Sequence, residues 1–476
     1  MMRRARIVAT LGPASSSPDI IEELIRAGMS VARLNFSHGN HETHLKALKN
    51  IREISKKLKV PVAVLQDLQG VKIRTGTLKD RNPVKLSEGD QFVITTSKVE
   101  GNASIVSTSY SDLPRDVRPD DRILLSDGLI ELVVESISET EVICRVVSGG
   151  LLRENQGVNI PGAEITAPAL TEKDLEDLEF GIQNKVDYIA LSFVRRPEDV
   201  LQLKEKLAEK KADIPIIAKL EKPSAIESLD SILDVCEGVM VARGDLGVEM
   251  SPEKVPIIQK KVIWSANRKN RLVITATQML ESMIHNPRPT RAEASDVANA
   301  VFDGTDALML SGETAAGEHP VEAVRMMAKI IDQAELMPAE YRPPRTERGR
   351  VLEFPEAVCD AAYHASKAIH ARAIVAFTQS GSTARLISKY RPDTDIFAFT
   401  PSQRIVSRMC LYWGVHPIRM REISNVDELI EESEKMLLKL QLVRPGDNLI
   451  ILTGAPIMEK GHTSLMKLHS VKDPNP

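Results

Sequence analysis

The stretch Pro215-Ile-Ile-Ala-Lys-Leu-Glu221 is an apolar run of strand length that ends in two charged residues, Lys219 and Glu221. Residues two apart on a strand point to the same face, so the ammonium and the carboxylate project side by side. A second apolar run, Val239-Met-Val-Ala-Arg-Gly-Asp245, also ends in a cation and an anion two residues apart. Two buried strands with such ends predict the mouth of a catalytic barrel, with carboxylates for a divalent cation and a lysine for an anion.

Eight apolar runs of this kind recur, and a helix-like segment follows each of them. They are rich in Val, Ile, Leu and Ala without strict alternation, which is typical of strands buried on both faces of a parallel sheet. Eight strand–helix units predict an α/β protein built on a (β/α)8 TIM barrel. An open doubly wound sheet and two smaller α/β domains are the alternatives. The runs are Ile7–Thr10, Val31–Phe36, Val62–Asp67, Tyr188–Phe193, Ile214–Glu221, Gly238–Asp245, Leu272–Thr277 and Ala307–Ser311.

The strand–helix rhythm stops between the third and fourth runs. β-rich runs separated by turn residues take its place, which predicts a small all-β domain inserted after the third strand. Because the loops that follow barrel strands form the catalytic face, we expect this insertion to act as a lid over the site. Its runs are Gln91–Thr96, Ile123–Leu125, Leu129–Ile137 and Val142–Val147.

The region beyond the barrel contains a linker and a further domain. A stretch rich in proline and charge, without periodicity, predicts the linker. Alternation of helix and strand then resumes and predicts a separate C-terminal α/β domain. The predicted boundaries are 1–69 and 167–340 for the barrel or A domain, 70–166 for the inserted B domain, 341–354 for the linker and 355–476 for the C domain.

The composition of the 476-residue chain is ordinary for a soluble globular protein, with 42% hydrophobic and 27% charged residues. The net charge of −4 gives no reason to expect nucleic acid or an anionic membrane as a partner. Four cysteines lie far apart without a CxxC pair, which predicts reduced thiols in a cytoplasmic protein. No segment reaches the roughly 18 uncharged apolar residues of a membrane span.

Polar residues follow all eight predicted barrel strands. One polar end is most simply a loop that faces water, but eight polar ends after apolar interiors indicate an active site at the C-terminal face of the barrel. The residues are Thr10, Arg33, Asn35, Ser37, Asp67, Ser192, Lys219, Glu221, Arg243, Asp245, Thr277, Ser311 and Glu313.

Eight motifs of the chain are long and specific. They are Ala9-Thr-Leu-Gly-Pro13, Ala32-Arg-Leu-Asn-Phe-Ser-His-Gly39, Gly157-Val-Asn-Ile-Pro-Gly162, Ile217-Ala-Lys-Leu-Glu221, Met240-Val-Ala-Arg-Gly-Asp-Leu-Gly247, Thr275-Ala-Thr-Gln-Met-Leu-Glu-Ser-Met283, Pro287-Arg-Pro-Thr-Arg-Ala-Glu293 and Leu310-Ser-Gly-Glu-Thr314. In this order they resemble the motifs of the pyruvate kinase family along essentially the whole chain.

The resemblance implies a (β/α)8 A domain, a B domain inserted after the third strand and a regulatory C domain, the layout that the pattern predicts separately. It implies phosphoryl transfer from phosphoenolpyruvate to ADP, giving pyruvate and ATP in the last step of glycolysis, by a homotetramer. Two rival functions stay open at this point. One is another metal-dependent phosphoenolpyruvate or enolate barrel, and the other is an inactive paralogue that binds metabolites.

The resemblance also implies roles for the charged strand ends. Lys219 matches the catalytic lysine, because an ammonium stabilises charge on the transferred phosphoryl group and on the enolate. Arg33 matches the arginine that grips the phosphoryl group with a fork of donors. Glu221 and Asp245 match the ligands of Mg²⁺ or Mn²⁺, and Mg²⁺ typically takes one or two carboxylates. The alternative is that these acids form ordinary salt bridges with Lys219 and Arg243.

Thr277 follows the seventh strand and is predicted to open a helix, whose backbone amides would favour a substrate carboxylate. The resemblance implies that Thr277 contacts substrate and belongs to the proton path to the enolate, which Ser311 and Glu313 extend. The backbone at Gly244 and Asp245 is similarly placed to bind the carboxylate. Helix capping is the simpler explanation of the hydroxyl residues.

The resemblance implies two further sets of contacts near the first three strands. The nucleotide contacts are Arg74, Asn35 and Thr10. The oxygen ligands of a monovalent cation, K⁺, are Asn35, Ser37 and Asp67.

Lys72 stands where potassium-dependent members of the family have glutamate. We therefore expect the Lys72 ammonium to supply the charge that K⁺ supplies elsewhere. The alternative is that K⁺ still binds. A second departure is Gln156, where many members have a nucleotide-binding lysine.

In the C domain, the stretch Thr378-Gln-Ser-Gly-Ser-Thr383 is predicted to open a helix. A loop of glycine and small hydroxyl residues at a helix N-terminus either holds a phosphate or simply caps the helix. The resemblance implies an effector loop that binds a sugar phosphate or AMP. Its residues are Thr378, Ser380, Gly381, Ser382 and Thr383.

Overall fold

The structure is a computed structural model in which residues 2–163, 165–166, 168–337, 352–454 and 463–473 are described. The N-terminal part alternates strand and helix as β1 (Arg6–Leu11), α1 (Pro18–Ala27), β2 (Val31–Asn35), α2 (His41–Leu58) and β3 (Ala63–Asp67). The insertion contains β4 (Val84–Leu86), β5 (Gln91–Thr95), β6 (Ile105–Ser107), α3 (Leu113–Asp116), β7 (Arg122–Leu125), β8 (Ile130–Ile137), β9 (Glu141–Ser148), β10 (Gly150–Leu152) and β11 (Val158–Asn159), with a 3-10 turn at Lys79–Arg81.

Alternation of helix and strand resumes after the insertion. The elements are α4 (Glu172–Gln183), β12 (Tyr188–Leu191), α5 (Pro197–Glu209), β13 (Ile216–Leu220), α6 (Pro223–Glu227), α7 (Leu229–Val235), β14 (Gly238–Ala242), α8 (Arg243–Glu249), α9 (Val255–Arg268), β15 (Leu272–Ala276), α10 (Arg291–Asp303), β16 (Ala307–Leu310), α11 (Gly312–Ala315) and α12 (Pro320–Ala334). Two 3-10 turns lie at Pro252–Lys254 and Glu281–Ile284.

The C-terminal part is again a mixture of helices and strands. The elements are α13 (Phe354–Ala368), β17 (Ala373–Phe377), α14 (Ser382–Lys389), β18 (Asp395–Thr400), α15 (Gln403–Met409), β19 (Val415–Arg419), α16 (Val426–Lys439), β20 (Asn448–Thr453) and β21 (Leu465–Ser470).

Eight parallel strands close into a barrel in the order β1-β16-β15-β14-β13-β12-β3-β2. The barrel interior is packed with buried side chains such as Leu65, Tyr188, Met240 and Met309, and a second apolar layer lies between the strands and the surrounding helices. The predicted (β/α)8 barrel is confirmed, and each of the eight predicted runs overlaps one of its strands. The alternatives of an open sheet and of two smaller domains are wrong.

The insertion between β3 and β12 forms a six-stranded sheet in the order β11-β7-β8-β9-β5-β6 and a two-stranded sheet of β10 and β4. The predicted small all-β unit after the third strand is confirmed. The pairings between its strands are antiparallel except that of β5 with β6. The sequence pattern did not reveal β4, β6, β10 and β11, because two or three residues are too few to show a period.

The C-terminal part forms a five-stranded sheet in the order β19-β18-β17-β20-β21, parallel except for the antiparallel β21. The predicted C-terminal α/β unit is therefore confirmed, although β19 and β21 were not predicted. β19 contains Pro417, which lowers strand propensity but is tolerated at the edge of the sheet.

The residue numbers given for the domain boundaries stay predictions. Of the predicted linker, residues 341–351 lie outside the described residues. In the described part of the chain, no helix is long and apolar enough to cross a lipid bilayer.

The contact between the barrel and the C-terminal sheet contains a buried ion cluster at Asp306, just before β16. Its carboxylate lies 2.5 Å from Lys389 Nζ and 2.7 Å from an Arg391 nitrogen, and it accepts the Val273 amide of β15 at 2.8 Å. Lys389 is the last residue of α14, the helix that begins with Ser382 of the predicted effector loop. The described C-terminal part is therefore tied by charge to two barrel strands.

All four cysteines are buried, unpaired thiols, as predicted. Burial raises the pKa of each to about 12. Cys144 lies in β9 of the insertion, Cys236 immediately before β14 of the barrel and Cys359 in α13. Cys410 lies at the contact between the parts, where its Sγ donates to the carbonyl of Pro61 at 3.3 Å.

The stability of the fold is expected to fall in acid because of His416 in β19. Burial, together with the charges of Arg6 and Arg4, lowers the pKa of His416 to about 3. An unfolded histidine titrates near 6.5, so between pH 6.5 and 3 the unfolded chain binds a proton that the folded chain does not. This contribution to stability is fully present above pH 6.5 and is lost as the pH falls.

We expect the free energy of unfolding to fall by about 2 kcal/mol more between pH 7 and pH 5 in the unmodified protein than in His416→Gln. Urea titrations at the two pH values would measure the difference. The matched control is His285→Gln, because the side chain of His285 is 78% exposed. An equal pH response in the unmodified protein and His416→Gln would contradict this prediction.

Candidate active site

The C-terminal ends of the barrel strands bring the predicted site residues to one face of the barrel. Thr10 of β1 pairs in register with Arg33 of β2, and Asn35 of β2 pairs with Asp67 of β3. Lys219 lies on β13, which is separated from β3 by β12 alone. The polar strand ends that are scattered along the sequence are therefore neighbours in space.

The Lys219 ammonium lies at the centre of this cluster. Its Nζ is 2.7 Å from Ser192 Oγ, 2.9 Å from Glu221 Oε1 and 3.3 Å from Asp67 Oδ1. The side chain is only 12% exposed. Burial lowers the pKa of Lys219, but the carboxylates of Asp67 and Glu221 outweigh burial and hold that pKa above its ordinary value. Lys219 is therefore a permanent cation held in a fixed position.

Asp67 is fully buried between two cations. Arg33 donates from Nε to Asp67 Oδ2 at 2.7 Å and from Nη1 to Thr10 Oγ1 at 3.0 Å. Burial alone would raise the pKa of Asp67, but Lys219 and Arg33 lower it below its ordinary value. Asp67 is thus the shared counter-ion of both predicted phosphoryl-binding cations, and its predicted role as a K⁺ ligand stays a prediction.

Glu221 and Asp245 are the carboxylates that could hold a divalent cation. Glu221 is buried, accepts the Phe193 amide at 2.7 Å and pairs with Lys219. Burial raises the pKa of Glu221, the Lys219 charge opposes that rise, and the Asp245 charge adds to it. A cation between the two acids would relieve their repulsion. In the part of the chain that the structure describes, no three His, Cys, Asp or Glu side chains could hold a metal on their own, so the set suits Mg²⁺, which keeps waters and substrate oxygens as ligands.

Thr277 does not open a helix, and that prediction is wrong. Thr277 and Gln278 instead adopt the left-handed conformation, with φ of 66° and 53°, and the next helical turn is the short Glu281–Ile284. A β-branched residue rarely adopts this conformation. Thr277 Oγ1 accepts the Gly244 amide at 2.7 Å and donates to the Ala276 carbonyl at 2.6 Å.

Ser311 and Glu313 follow β16, next to the Thr277 segment. The Glu313 carboxylate is fully buried and accepts the amides of Ser311 at 2.7 Å and Leu280 at 3.1 Å. It therefore ties the end of β16 to the loop after β15. Ser311 Oγ is buried and has no hydrogen-bond partner among the described residues.

The predicted K⁺ ligands Asn35 and Ser37 lie together, since Asn35 Oδ1 accepts the Ser37 amide at 3.2 Å. Burial lowers the pKa of His38 in this segment, and the nearby charges of Lys72, Arg74 and Arg33 lower it further. Within the described ranges no acidic side chain is in salt-bridge distance of Lys72, so its charge is available to a ligand.

An open cleft lies between the inserted sheet and the barrel, and Lys72 and Asp245 both line it. Arg74 lies on the insertion, where its Nη1 donates to the Asn155 carbonyl at 2.9 Å. Of the remaining predicted nucleotide contacts, Asn35 lies on β2 and Thr10 on β1 of the barrel, and none of the three residues is among those that line the cleft.

A buried carboxylate, Glu249, holds the insertion against the barrel. Its Oε1 accepts Lys222 Nζ at 2.5 Å and the Asn159 side-chain amide at 2.7 Å. Asn159 belongs to β11 of the insertion, whereas Lys222 follows β13 of the barrel. Glu249 therefore links the insertion to the barrel through one carboxylate oxygen.

The predicted effector loop lies in the C-terminal part, at the start of α14. Thr378 Oγ1 accepts the Gly381 amide at 2.8 Å, Ser380 Oγ lies 3.0 Å from Ser382 Oγ, and Thr383 Oγ1 lies 2.7 Å from Thr463 Oγ1. Gly381 has φ of 90°, which favours glycine. Thr378, Ser382 and Thr383 line a shallow, open pocket.

Sequence reasoning gave no role to two contributors to the site. Ser192 was noted only as a polar strand end, yet it accepts a hydrogen bond from Lys219 and donates to the Leu68 carbonyl at 2.7 Å. A salt bridge of Arg243 with Glu221 or Asp245 was the alternative interpretation of these acids, but the Arg243 guanidinium instead contacts the Thr277 segment. The position of Ser192 at the end of its strand could have indicated its contact with Lys219. No local sequence signal indicates the contact of Arg243 with the Thr277 segment.

Comparisons with known proteins give a consistent result. The family model "Pyruvate kinase, barrel domain" matches residues 2–324, and "Pyruvate kinase, alpha/beta domain" matches residues 356–469. Proteins called pyruvate kinase from Staphylococcus aureus strains MRSA252 and USA300 are 47% identical over 476 residues, covering 99% of this chain and 81% of theirs. A crystal structure of a pyruvate kinase from Cryptosporidium parvum has a TM-score of 0.92 and 36% identity, covering 98% of this chain and 96% of its own.

Proposed function

We propose roles for the residues at the barrel mouth from the premise that the chain belongs to the pyruvate kinase family. Members of that family transfer the phosphoryl group of phosphoenolpyruvate to ADP and release pyruvate and ATP, and this chain does the same. The observation that carries the assignment of roles is the set of fixed charges at the strand ends. Two buried cations, Lys219 and Arg33, lie beside the carboxylates of Asp67 and Glu221.

Lys219 and Arg33 are the proposed phosphoryl-binding cations. Charge develops on the phosphoryl oxygens during transfer and on the enolate oxygen that remains, and preorganised donors stabilise both. Both side chains are already held by Asp67, so they need little reorganisation when the substrate binds. Arg33 offers a fork of donors to oxygens, and Lys219 offers a point charge close to the reacting atoms.

Glu221 and Asp245 are the proposed ligands of Mg²⁺ or Mn²⁺. A divalent cation bound there would neutralise negative charge on phosphoryl and enolate oxygens. Burial of Glu221 and the charge of Asp245 both raise the pKa of Glu221. Because these two acids repel one another, the pair gains stability when it shares a cation.

The substrate carboxylate is proposed to lie against the backbone of Gly244 and Asp245 and the hydroxyl of Thr277. Thr277 Oγ1 already accepts a hydrogen bond from the Gly244 amide. The proton that converts enolate to pyruvate is proposed to travel through Thr277, Ser311 and Glu313. The buried Ser311 hydroxyl, which has no partner among the described residues, supports this path because it is free to bond a water.

The nucleotide is proposed to bind in the cleft between insertion and barrel, near Arg74, Asn35 and Thr10. One wall of the cleft belongs to the insertion and the other to the barrel. The insertion, which carries Arg74, is connected to the barrel after β3, as a lid over the active site would be. We also propose that the enzyme is cytoplasmic and homotetrameric, as its resemblance to the family implies.

Replacing the central cation tests the assignment. Lys219→Met is expected to lower kcat at least about 100-fold, because it removes a charge aimed at the transition state. A coupled assay of pyruvate formed from phosphoenolpyruvate, with and without ADP, measures the loss. Circular dichroism would check that the variant is folded.

Lys206→Met is the matched control, because Lys206 makes an exposed salt bridge with Glu209. It should keep normal turnover. Lys219→Met activity within tenfold of normal would refute the role of Lys219, and pyruvate formation without ADP would refute the kinase reaction itself.

We propose that Lys72 replaces K⁺ as a source of positive charge near Asn35 and Ser37. Full activity is therefore expected in K⁺-free buffer, and Lys72→Glu should become dependent on added K⁺ because a carboxylate cannot supply the missing charge. Rates measured with and without KCl, at constant ionic strength, would show this. Lys85→Glu, at an exposed position of β4, is the control for the charge change. Activity of the unmodified enzyme near zero until K⁺ is added would disprove the idea.

The loop Thr378–Thr383 is proposed to bind a phosphate-bearing effector, a sugar phosphate or AMP. Supporting observations are its left-handed Gly381, its hydroxyl residues at the start of α14 and the adjoining pocket. The resemblance to the family also implies a second effector contact in the region of Gly461, His462 and Thr463. Residues 461 and 462 lie outside the described residues, whereas Thr463 Oγ1 lies 2.7 Å from Thr383 Oγ1 of the loop.

Saturation curves for phosphoenolpyruvate across a panel of sugar phosphates and AMP would identify the effector. Ser382→Glu is expected to abolish the shift that the effector causes, because its carboxylate repels phosphate, and to leave the basal curve unchanged. Ser470→Glu, on an exposed strand, should respond normally. An unaltered effector response in Ser382→Glu would place the binding site elsewhere.

A further inference from the structure

We propose that Arg243 is a positioning residue for the reaction, which fixes the left-handed Thr277 segment and so aims the Thr277 hydroxyl at the substrate. The proposal rests on the proposed function, in which Thr277 contacts the substrate. Arg243 itself is not proposed to touch the reacting atoms. It acts through the backbone of the loop that follows β15.

The Thr277 segment requires an external support. Thr277 and Gln278 both have positive φ, and such a conformation is costly for residues with a Cβ, most of all for a β-branched one. Two such residues in succession persist only where the surrounding structure holds them. Strained backbone of this kind clusters at functional sites.

The Arg243 side chain provides that support through its guanidinium. Nη2 donates to the Thr277 carbonyl at 2.8 Å and to the Gln278 carbonyl at 3.2 Å, and Nε donates to the Thr277 carbonyl at 3.3 Å. Both carbonyls of the strained pair are therefore bound by one rigid, planar group. A side chain with a single point of charge could not bind them in the same way.

The opposite side of the guanidinium is anchored behind the loop. Arg243 Nη1 donates to the Asp296 carboxylate of α10 at 2.8 Å and to Gln259 Oε1 of α9 at 3.3 Å. The side chain is 11% exposed. Two long helices therefore fix the position of the group that holds the loop.

The residues that follow Arg243 hold Thr277 from a second direction. The Gly244 amide donates to Thr277 Oγ1 at 2.7 Å, and Asp245, one residue further on, is a proposed metal ligand. One three-residue segment thus holds the Thr277 carbonyl, holds its hydroxyl and carries a metal ligand. Arg243 therefore fixes the position of the Thr277 hydroxyl relative to the carboxylate of Asp245, the proposed metal ligand.

A purely structural salt bridge with Asp296 is the rival explanation, and Asp296→Asn separates the two. This variant removes the ion pair but leaves the contacts from guanidinium to both carbonyls. We expect Arg243→Met to lower kcat about 100-fold, the size of effect that misplacement by about 1 Å produces, and Asp296→Asn to lower it less than about fivefold. Arg243→Lys should fall between them, and the KM for ADP should stay constant in all three.

A double-mutant cycle tests whether Arg243 acts through Thr277. Thr277→Ala is expected to be slow, and Arg243→Met added to it should slow the enzyme little further, because the hydroxyl to be positioned is already gone. Exchange of the methyl protons of pyruvate with D₂O, followed by NMR, should show the same pattern for the proton step. Fully multiplicative losses would overturn the proposal, as would equal losses in Arg243→Met and Asp296→Asn.

The unmodified enzyme and Lys219→Met are run beside these variants to keep the two levels of inference apart. If the unmodified enzyme forms no pyruvate, the proposed function fails. If it is active while Arg243→Met keeps normal kcat and normal proton exchange, only the positioning role fails. Thermal unfolding of each variant would verify that it is folded at the assay temperature.

Discussion

The buried carboxylate of Asp67 is the constraint on which the barrel mouth depends. Arg33 and Lys219 are nearly excluded from water, and an uncompensated buried cation is strongly destabilising. Asp67 accepts a hydrogen bond from Arg33 and lies 3.3 Å from Lys219 Nζ, so one carboxylate compensates both buried cations and holds them close together. An anionic substrate that enters this region meets charges whose positions are already determined. The folding requirement and the catalytic requirement are met by the same ion cluster.

A second buried carboxylate organises the opposite end of the barrel. Asp306 receives Lys389 and Arg391 from the C-terminal part and the Val273 amide from β15. β15 leads to Thr277, and β16, which follows Asp306, leads to Ser311 and Glu313. Each end of the barrel therefore has one acid that serves two cations, and the two strands joined at Asp306 are those that carry the proposed proton path.

The sequence was sufficient to predict features that depend on long, repeated patterns. The eight apolar runs predicted the barrel because strands buried on both faces need continuous apolar sequence, and their polar ends predicted the site residues. The pattern could not predict where a backbone turns against local preference. Thr277 adopts positive φ because Arg243 and Gly244 hold it, and those contacts join different loops. Likewise, edge strands such as β19 and the short strands of the insertion form through pairing, which one strand's own residues do not encode.

The four buried thiols have a practical consequence for following the motions of this molecule. A thiol with a pKa near 12 reacts with an alkylating or disulfide reagent only when the surrounding structure opens. Cys144 samples the inserted sheet, Cys236 the barrel and Cys359 the C-terminal helical layer, while Cys410 samples the contact between that layer and the barrel. The order in which a thiol reagent labels the four cysteines therefore reports the order in which these parts of the molecule open.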